Sequence, residues 1–325
     1  MRDVGRRQEA ILGFDIGGTK TSVVVGTYDG KILHRISFPT TTHKGFELSF
    51  STICTNASKA LRWAKRRRLP VGVISVSVGG PLDIEKGIIY SPPNLPGWDG
   101  IQLKELLEGR FSLPVFIEHD GNAGALAEFF FGAGRGHKNI VFLTLGTGLG
   151  AGIILDGKIY HGTNDNAGEV GHIRIARVGP EAYGKKGSWE GYCSGGGMSK
   201  LAHQMNPRRW NVDVTAYDIS RAARRGNRDA LKVIQKSAKF LGQGLAILVD
   251  ILNPELIILG SLGFRLGDLL IEPALKEMER EAAPRAFAAC EVVPAALGES
   301  IGDVASLAAA IYHKRSSHGL LSPGG

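Results

Sequence analysis

The chain has 325 residues, about twice a typical domain of roughly 150, so two domains with separate cores are expected. Hydrophobic residues make up 43% and charged residues 22%, which excludes a disordered chain and a membrane protein as the overall class. A net charge of +8 fits nucleic acid, but it fits phosphorylated substrates equally well, so the sign alone chooses neither.

Three strands are expected first, over 10–15, 22–28 and 31–38, separated by Gly17-Gly18 and by Asp29-Gly30, a dipeptide that signals a hairpin between alternating apolar runs. A helix follows over 46–68, and Lys65-Arg66-Arg67-Arg68 reads as its solvated end, where cations complement the negative helix terminus. Val71 to Val78 is rich in β-branched residues and reads as a buried strand stopped by Gly79-Gly80-Pro81. The stretch Ser91-Pro92-Pro93-Asn94-Leu95-Pro96-Gly97-Trp98 is too irregular for an element and too apolar for a free linker; ordered loops of this kind often carry function. Next come a helix near 102–110, a strand at 115–118, a helix at 122–131, and strands at 139–145 and 150–155. The second half continues with helices at 216–225 and 228–252, a strand at 255–259, a helix at 266–281, a strand at 290–294 and a last helix near 301–313.

The strand, glycine turn, strand pattern occurs twice, with Asp15-Ile16-Gly17-Gly18-Thr19 in one half and Leu145-Gly146-Thr147-Gly148 in the other, which suggests duplicated lobes. Paired glycines let backbone N–H groups approach a phosphate without Cβ obstruction, and Thr19, Lys20 and Thr147 add donors. Each turn read singly could equally be a tight hairpin, and neither is a Walker A loop. Both at corresponding places favour phosphate binding.

No run of about 18 uncharged apolar residues occurs, and the charged start, Met1 to Glu9, leads directly into a strand-like segment, so a cytoplasmic protein is expected. Cys54, Cys193 and Cys290 are odd in number and widely spaced, which suits a reducing compartment and packing roles.

With these motifs in view, the sequence resembles the sugar kinases of the ROK (repressor, open reading frame, kinase) family. Asp15-Ile16-Gly17-Gly18-Thr19-Lys20 and Leu145-Gly146-Thr147-Gly148-Leu149-Gly150 look like its two phosphate motifs, and Asn253-Pro254-Glu255-Leu256-Ile257-Ile258-Leu259-Gly260 looks like its adenosine motif. The resemblance runs from residue 11 to about 312. It implies an actin-like (ribonuclease H-like) α/β fold duplicated into two lobes with a cleft, ATP mainly against the second lobe and sugar between them. The expected division is an N-terminal lobe over 1–120, a C-terminal lobe over 121–300, and a segment over 301–325 whose helix packs back on the first lobe before a flexible tail.

The resemblance further implies Asp120, in Glu118-His119-Asp120-Gly121-Asn122, as general base: a sugar hydroxyl is a poor nucleophile, and a carboxylate beside it can accept its proton during phosphoryl transfer. Read without the family, the same residues are turn formers. Glu169 and His172 match the family's Glu-x-Gly-His, Glu190 matches another sugar-binding glutamate, and Asn94 resembles a further sugar contact. Asp15, Gly17, Gly18, Thr19, Lys20, Gly146, Thr147, Gly148, Gly150 and Gly260 would serve ATP, with Asp15 reaching Mg²⁺ through water.

Three departures from the family stand out. His119 occupies the place of a sugar-binding Asn, so either the sugar preference differs or the ring points away. Ser261 stands where a second glycine is usual. The family's zinc-binding cysteines are absent from Glu181 to Glu190, where Glu181, Tyr183 and Ser188 replace them, so no structural zinc is expected, and Tyr183 and Trp189 are candidates to hold the loop by packing.

The expected activity is ATP-dependent phosphorylation of a hexose, at the 6-hydroxyl of glucose, with N-acetylmannosamine, N-acetylglucosamine or fructose as alternative acceptors. A homo-oligomer with small-molecule partners and no nucleic-acid or membrane partner is expected. The rivals are a sugar-responsive repressor, disfavoured because only ten residues precede Ile11, and a non-catalytic actin-like ATPase, which should lack Asp120, Glu169, His172 and Glu190.

Overall fold

The computed structural model describes Glu9–Gly319; the start of the chain up to Gln8 and the end of the expected tail, from residue 320, lie outside the described residues. The described residues fall into two compact units. One takes in the chain up to Phe131 together with His161–Asn166 and the residues from Glu299 on, and the other is Gly132–Tyr160 with Ala167–Gly298.

The first unit opens with β1 (Ala10–Ile16), β2 (Lys20–Gly26) and β3 (Ile32–Pro39), joined as an antiparallel meander. Asp29-Gly30 makes the expected hairpin turn, with Gly30 at φ 81°. After α1 (Phe46–Arg66), β4 (Val71–Val78) pairs parallel to β1. A small antiparallel sheet of β5 (Leu82–Asp83), β6 (Ile88–Ile89) and β7 (Ile101–Gln102) precedes α2 (Leu103–Phe111). Then β8 (Val115–His119) joins β4 in parallel and runs straight into α3 (Asp120–Phe131). The sheet order is β3-β2-β1-β4-β8.

Both faces of this sheet are covered, which is why β1 and β4 are buried along most of their length, the serines of β4 included. Leu12, Phe14 and Ile16 share one core cluster with Ile53, Ala57, Ala60 and Ala64 of α1. On the other face a Cβ at Gly13 would meet Ser306 and Leu307 of the closing helix Ile301–Ser317 within 3 Å. Side chains of successive strand residues point to opposite faces, so the absence of a side chain at Gly13 is what admits that helix. Lys65 to Arg68 are exposed at the end of α1, as a solvated helix terminus requires.

The second unit repeats the plan. β9 (Ile140–Leu143), β10 (Ala151–Leu155) and β11 (Lys158–Ile159) form an antiparallel set, followed by the small hairpin β12 (Glu181–Ala182) and β13 (Lys185–Lys186). The helices are α4 (Trp189–Cys193), α5 (Gly195–Met205), α6 (Ala216–Arg224) and α7 (Arg228–Leu252). β14 (Leu256–Leu259) then pairs parallel to β9, α8 (Ser261–Leu266), α9 (Asp268–Glu281) and α10 (Pro284–Ala288) follow, and β15 (Glu291–Pro294) pairs parallel to β14. The order β11-β10-β9-β14-β15 is three antiparallel strands followed by two parallel ones, the same plan as the first unit.

The helix expected over 266–281 is α9, which starts two residues later because Gly267, at φ 55°, separates it from α8, a short helix the sequence reading did not include. Cys54 and Cys193 are buried and all three cysteines are free thiols. Burial pushes the Cys193 thiol far up, and pushes Cys290 up to about 12, so neither is a thiolate at neutral pH. Among the described residues no helix is long and apolar enough to cross a membrane.

Candidate active site

In the first unit, the β1–β2 turn holds Gly17 and Gly18, with Thr19 and Lys20 exposed beside them. Thr40 Oγ1 donates to the Gly17 carbonyl at 2.5 Å and Gly17 N–H donates to Lys20 O at 3.1 Å, which fixes the turn's shape. The Pro-rich loop is pinned by Leu95 and Trp98, both essentially fully buried, while Asn94 stays exposed. Turn and loop touch: a Cβ at Gly18 would lie 2.2 Å from the Asn94 carbonyl oxygen. Gly18→Ala therefore forces backbone apart and should cost about 1–3 kcal/mol, as overpacking does. Gly17→Ala, which meets only Lys20 O at 3.0 Å, should cost less in the same denaturant titrations. Equal midpoints for the two variants would show that turn and loop are not in contact.

Asp120 is the first residue of α3, at the C-terminal end of β8, where the helix N-terminus favours an anion. Its side chain is 54% exposed. His119 is used locally. Its Nδ1 accepts the Gly121 N–H at 3.2 Å, which places the ring proton on Nε2, and its ring edge lies against Gly80, where a Cβ would come within 2.7 Å of Cδ2.

Asp15 lies at the end of β1. Burial, then the charges of Asp120 and Asp303, raise its carboxyl to about 7 against the opposing pull of Lys20 and Arg35. A Cβ on Gly302, in the first turn of the closing helix, would sit 2.6 Å from Asp15 Oδ2. Asp303 is itself held by Arg35 Nε at 2.8 Å. Sequence reasoning did not single out Gly302, Asp303 or Arg35; the short helix-opening Gly-Asp was the available signal.

A second omission is Glu118, buried beneath the start of α3. Its Oε1 accepts from the His119 N–H at 3.0 Å and from Asn122 Nδ2 at 2.9 Å, and its Oε2 pairs with His161 Nε2 at 2.9 Å. Burial works against an imidazolium at His161, but the hydrogen bond and charge of Glu118, with Asp165, outweigh it and hold the pKa above the usual histidine value.

In the second unit the β9–β10 turn carries Gly146, Thr147, Gly148 and Gly150. Thr144 Oγ1 accepts the Gly150 N–H at 3.0 Å, and the N–H groups of Gly195 and Gly196, opening α5, donate to the carbonyls of Gly146 and Thr147 at 2.7 and 3.1 Å. Gly260 follows β14 and abuts the same turn, since a Cβ there would lie 2.6 Å from Thr144 O. The expected phosphate turn and adenosine glycine thus lie together, with Gly195 and Gly196 as an addition that the sequence reading missed.

Glu169 and His172 flank a tight loop alongside β10, with His172 Nε2 3.8 Å from Glu169 Oε2. Gly171 lies so close to Leu149 that a Cβ would be 2.2 Å from its carbonyl oxygen. Glu190 opens α4 and accepts the Leu149 N–H on Oε2 at 2.9 Å. Tyr183 stacks on His172, ring centroids 3.5 Å apart, and donates its O–H to Glu190 Oε2 at 2.5 Å. Trp189 is fully buried beneath.

The sequence matches the model of the ROK family over residues 11–314. The chain belongs to the ROK family. A glucokinase from Halalkalibacterium halodurans is 35% identical over 307 residues, 90% of this chain and 92% of that one. The ROK glucokinase from Streptomyces griseus, solved in complex with glucose and AMPPNP, is 31% identical with a TM-score of 0.77, covering 94% of this chain and 99% of that one. A xylose repressor from Caldicellulosiruptor bescii is 32% identical over 83% of this chain and 69% of its own length. Two mixed α/β lobes, each on a five-stranded sheet, are the ROK version of the actin-like ATPase fold, as the sequence motifs implied.

Proposed function

We propose that this ROK protein is an ATP-dependent hexose kinase that transfers the γ-phosphoryl group to the 6-hydroxyl of glucose. N-acetylmannosamine, N-acetylglucosamine and fructose are the alternative acceptors. The observation that carries this reading is Asp120: a half-exposed carboxylate at a helix N-terminus, in the same unit as the Gly17-Gly18 turn and Asn94. The glucokinase relative aligned over nine-tenths of both chains supports the same class.

In this mechanism Asp120 accepts the hydroxyl proton as the phosphoryl group transfers, and Asn94, Glu169, His172 and Glu190 orient the sugar through acceptors and donors in fixed directions. Lys20 and the amides of the two glycine turns stabilise charge on the transferring phosphates. The Nδ1 of His119 accepts the Gly121 N–H, so that nitrogen does not donate to a sugar. Asp15 is the carboxylate suited to Mg²⁺: it is crowded by Asp120 and Asp303, so a divalent cation would be favoured near it. Bound there, Mg²⁺ would neutralise phosphate charge. The reading goes with a cytoplasmic homo-oligomer, without nucleic-acid or membrane partners, and without a structural zinc, which metal analysis of the purified protein checks directly.

ADP release from Mg-ATP, measured against hexoses and N-acetylhexosamines with a no-sugar control, tests the proposal. Strong turnover that depends on one sugar is expected and names the acceptor. The similarity to xylose repressors gives a second reading, a regulator that binds sugar without turning over ATP; sugar binding with no ADP release in any mixture would establish that reading and reject the kinase.

A further inference from the structure

The hairpin β12–β13 pairs Glu181 with Lys186 and Ala182 with Lys185, so its loop is only Tyr183-Gly184. Both loop residues have positive φ, 54° and 67°, the geometry of a two-residue turn that strongly prefers Asn-Gly. A tyrosine in the left-handed region is unfavourable, since its Cβ crowds the following carbonyl. Strain kept at one residue directs attention to what its side chain does.

That side chain reaches both His172 and Glu190. Its ring lies on the His172 imidazole at 3.5 Å with an interplanar angle of 22°, and its O–H donates to Glu190 Oε2. The same Glu190 oxygen accepts the Leu149 N–H, and a Cβ at Gly148 would come within 2.8 Å of it. One oxygen of Glu190 therefore accepts from two donors, which fixes the carboxylate in place. The hairpin has its own anchors: Lys200 Nζ donates to Glu181 O at 2.8 Å and Arg174 Nη1 to Lys186 O at 3.1 Å.

We infer that Tyr183 is the positioning residue of this unit's site, locking the His172 ring and the Glu190 carboxylate into one arrangement and tying both to the Gly146–Gly150 turn. The inference rests on the reading that His172 and Glu190 meet the sugar. The hydroxyl and the ring have separable roles. The hydroxyl aims Glu190, and the ring fixes the plane of His172.

Tyr183→Phe keeps the ring and removes the hydroxyl; Tyr183→Ala removes both. For the sugar found to be the acceptor, Tyr183→Phe should weaken binding and raise KM about tenfold, the scale of one hydrogen bond to a charged group, with kcat and the thermal midpoint little changed. Made in a Glu190→Gln background, Tyr183→Phe should add almost no further loss, because a residue acting through another is non-additive with it. An unchanged KM, or the same tenfold loss in both backgrounds, would overturn the assignment. If the wild-type protein binds no hexose, the kinase reading fails on its own, and the placement of Tyr183 is then decided by NMR. The ring-proton resonances of His172 should move in Tyr183→Ala and stay near wild type in Tyr183→Phe. Resonances unmoved by Tyr183→Ala would remove the stack and the inference with it.

Discussion

Asp120→Asn should lower sugar-dependent turnover by about 10²-fold or more, the usual size of base catalysis. Asparagine keeps the volume and the acceptor oxygen but cannot take a proton. The substitution is mild for the fold, because the side chain is 54% exposed and the main loss is a favourable charge at the start of α3, worth about 0.3–1 kcal/mol. His119 cannot take over through Nδ1, which already accepts the Gly121 N–H. Sugar and nucleotide affinity should hold within a few-fold, so the loss appears in kcat. Initial rates at saturating Mg-ATP and sugar, set beside direct sugar binding, separate the two. Turnover close to wild type would move the base to another residue.

Much of the scaffold was legible because its patterns are local. The β-branched run gives β4 to the residue, the helix expected over 228–252 is α7, and the positions of Gly17-Gly18 and Gly146–Gly150 follow from turn chemistry alone. α5 was not read, since Gly195-Gly196-Gly197 is poor helix sequence and only Ser194, whose side chain caps Gly197 N–H, marked its start. The pairings that shape the candidate site are non-local. His161 reaches Glu118 from 43 residues away, and Gly302 and Asp303 come to Asp15 from the far end of the chain. Tyr183 was named as a candidate to hold its loop, but the partner oxygen it would find could not be read from spacing.

The environment of Asp15 makes a second large effect measurable without any substrate. With its carboxyl raised from 3.8 to about 7, the folded protein keeps this proton between roughly pH 4 and 7 while the unfolded chain has released it. The native state then binds more protons than the unfolded state, so this contribution to stability is greatest below pH 4, falls as pH rises through the window and levels off above 7. At 1.36 kcal/mol per pH unit the full span is at most roughly 4 kcal/mol. Asp15→Asn has no proton to release, so its stability relative to wild type should grow from pH 5 to pH 8, read as a rising difference in denaturant midpoint. Asp120→Asn removes one of the charges that raises Asp15, so in that variant the window should move to lower pH, opposite to what loss of Lys20 or Arg35 would do. Parallel pH profiles for wild type and Asp15→Asn would mean that Asp15 ionises as an ordinary carboxyl, and with that the crowding of Asp15, Asp120 and Asp303, on which the proposed magnesium role depends, would be lost.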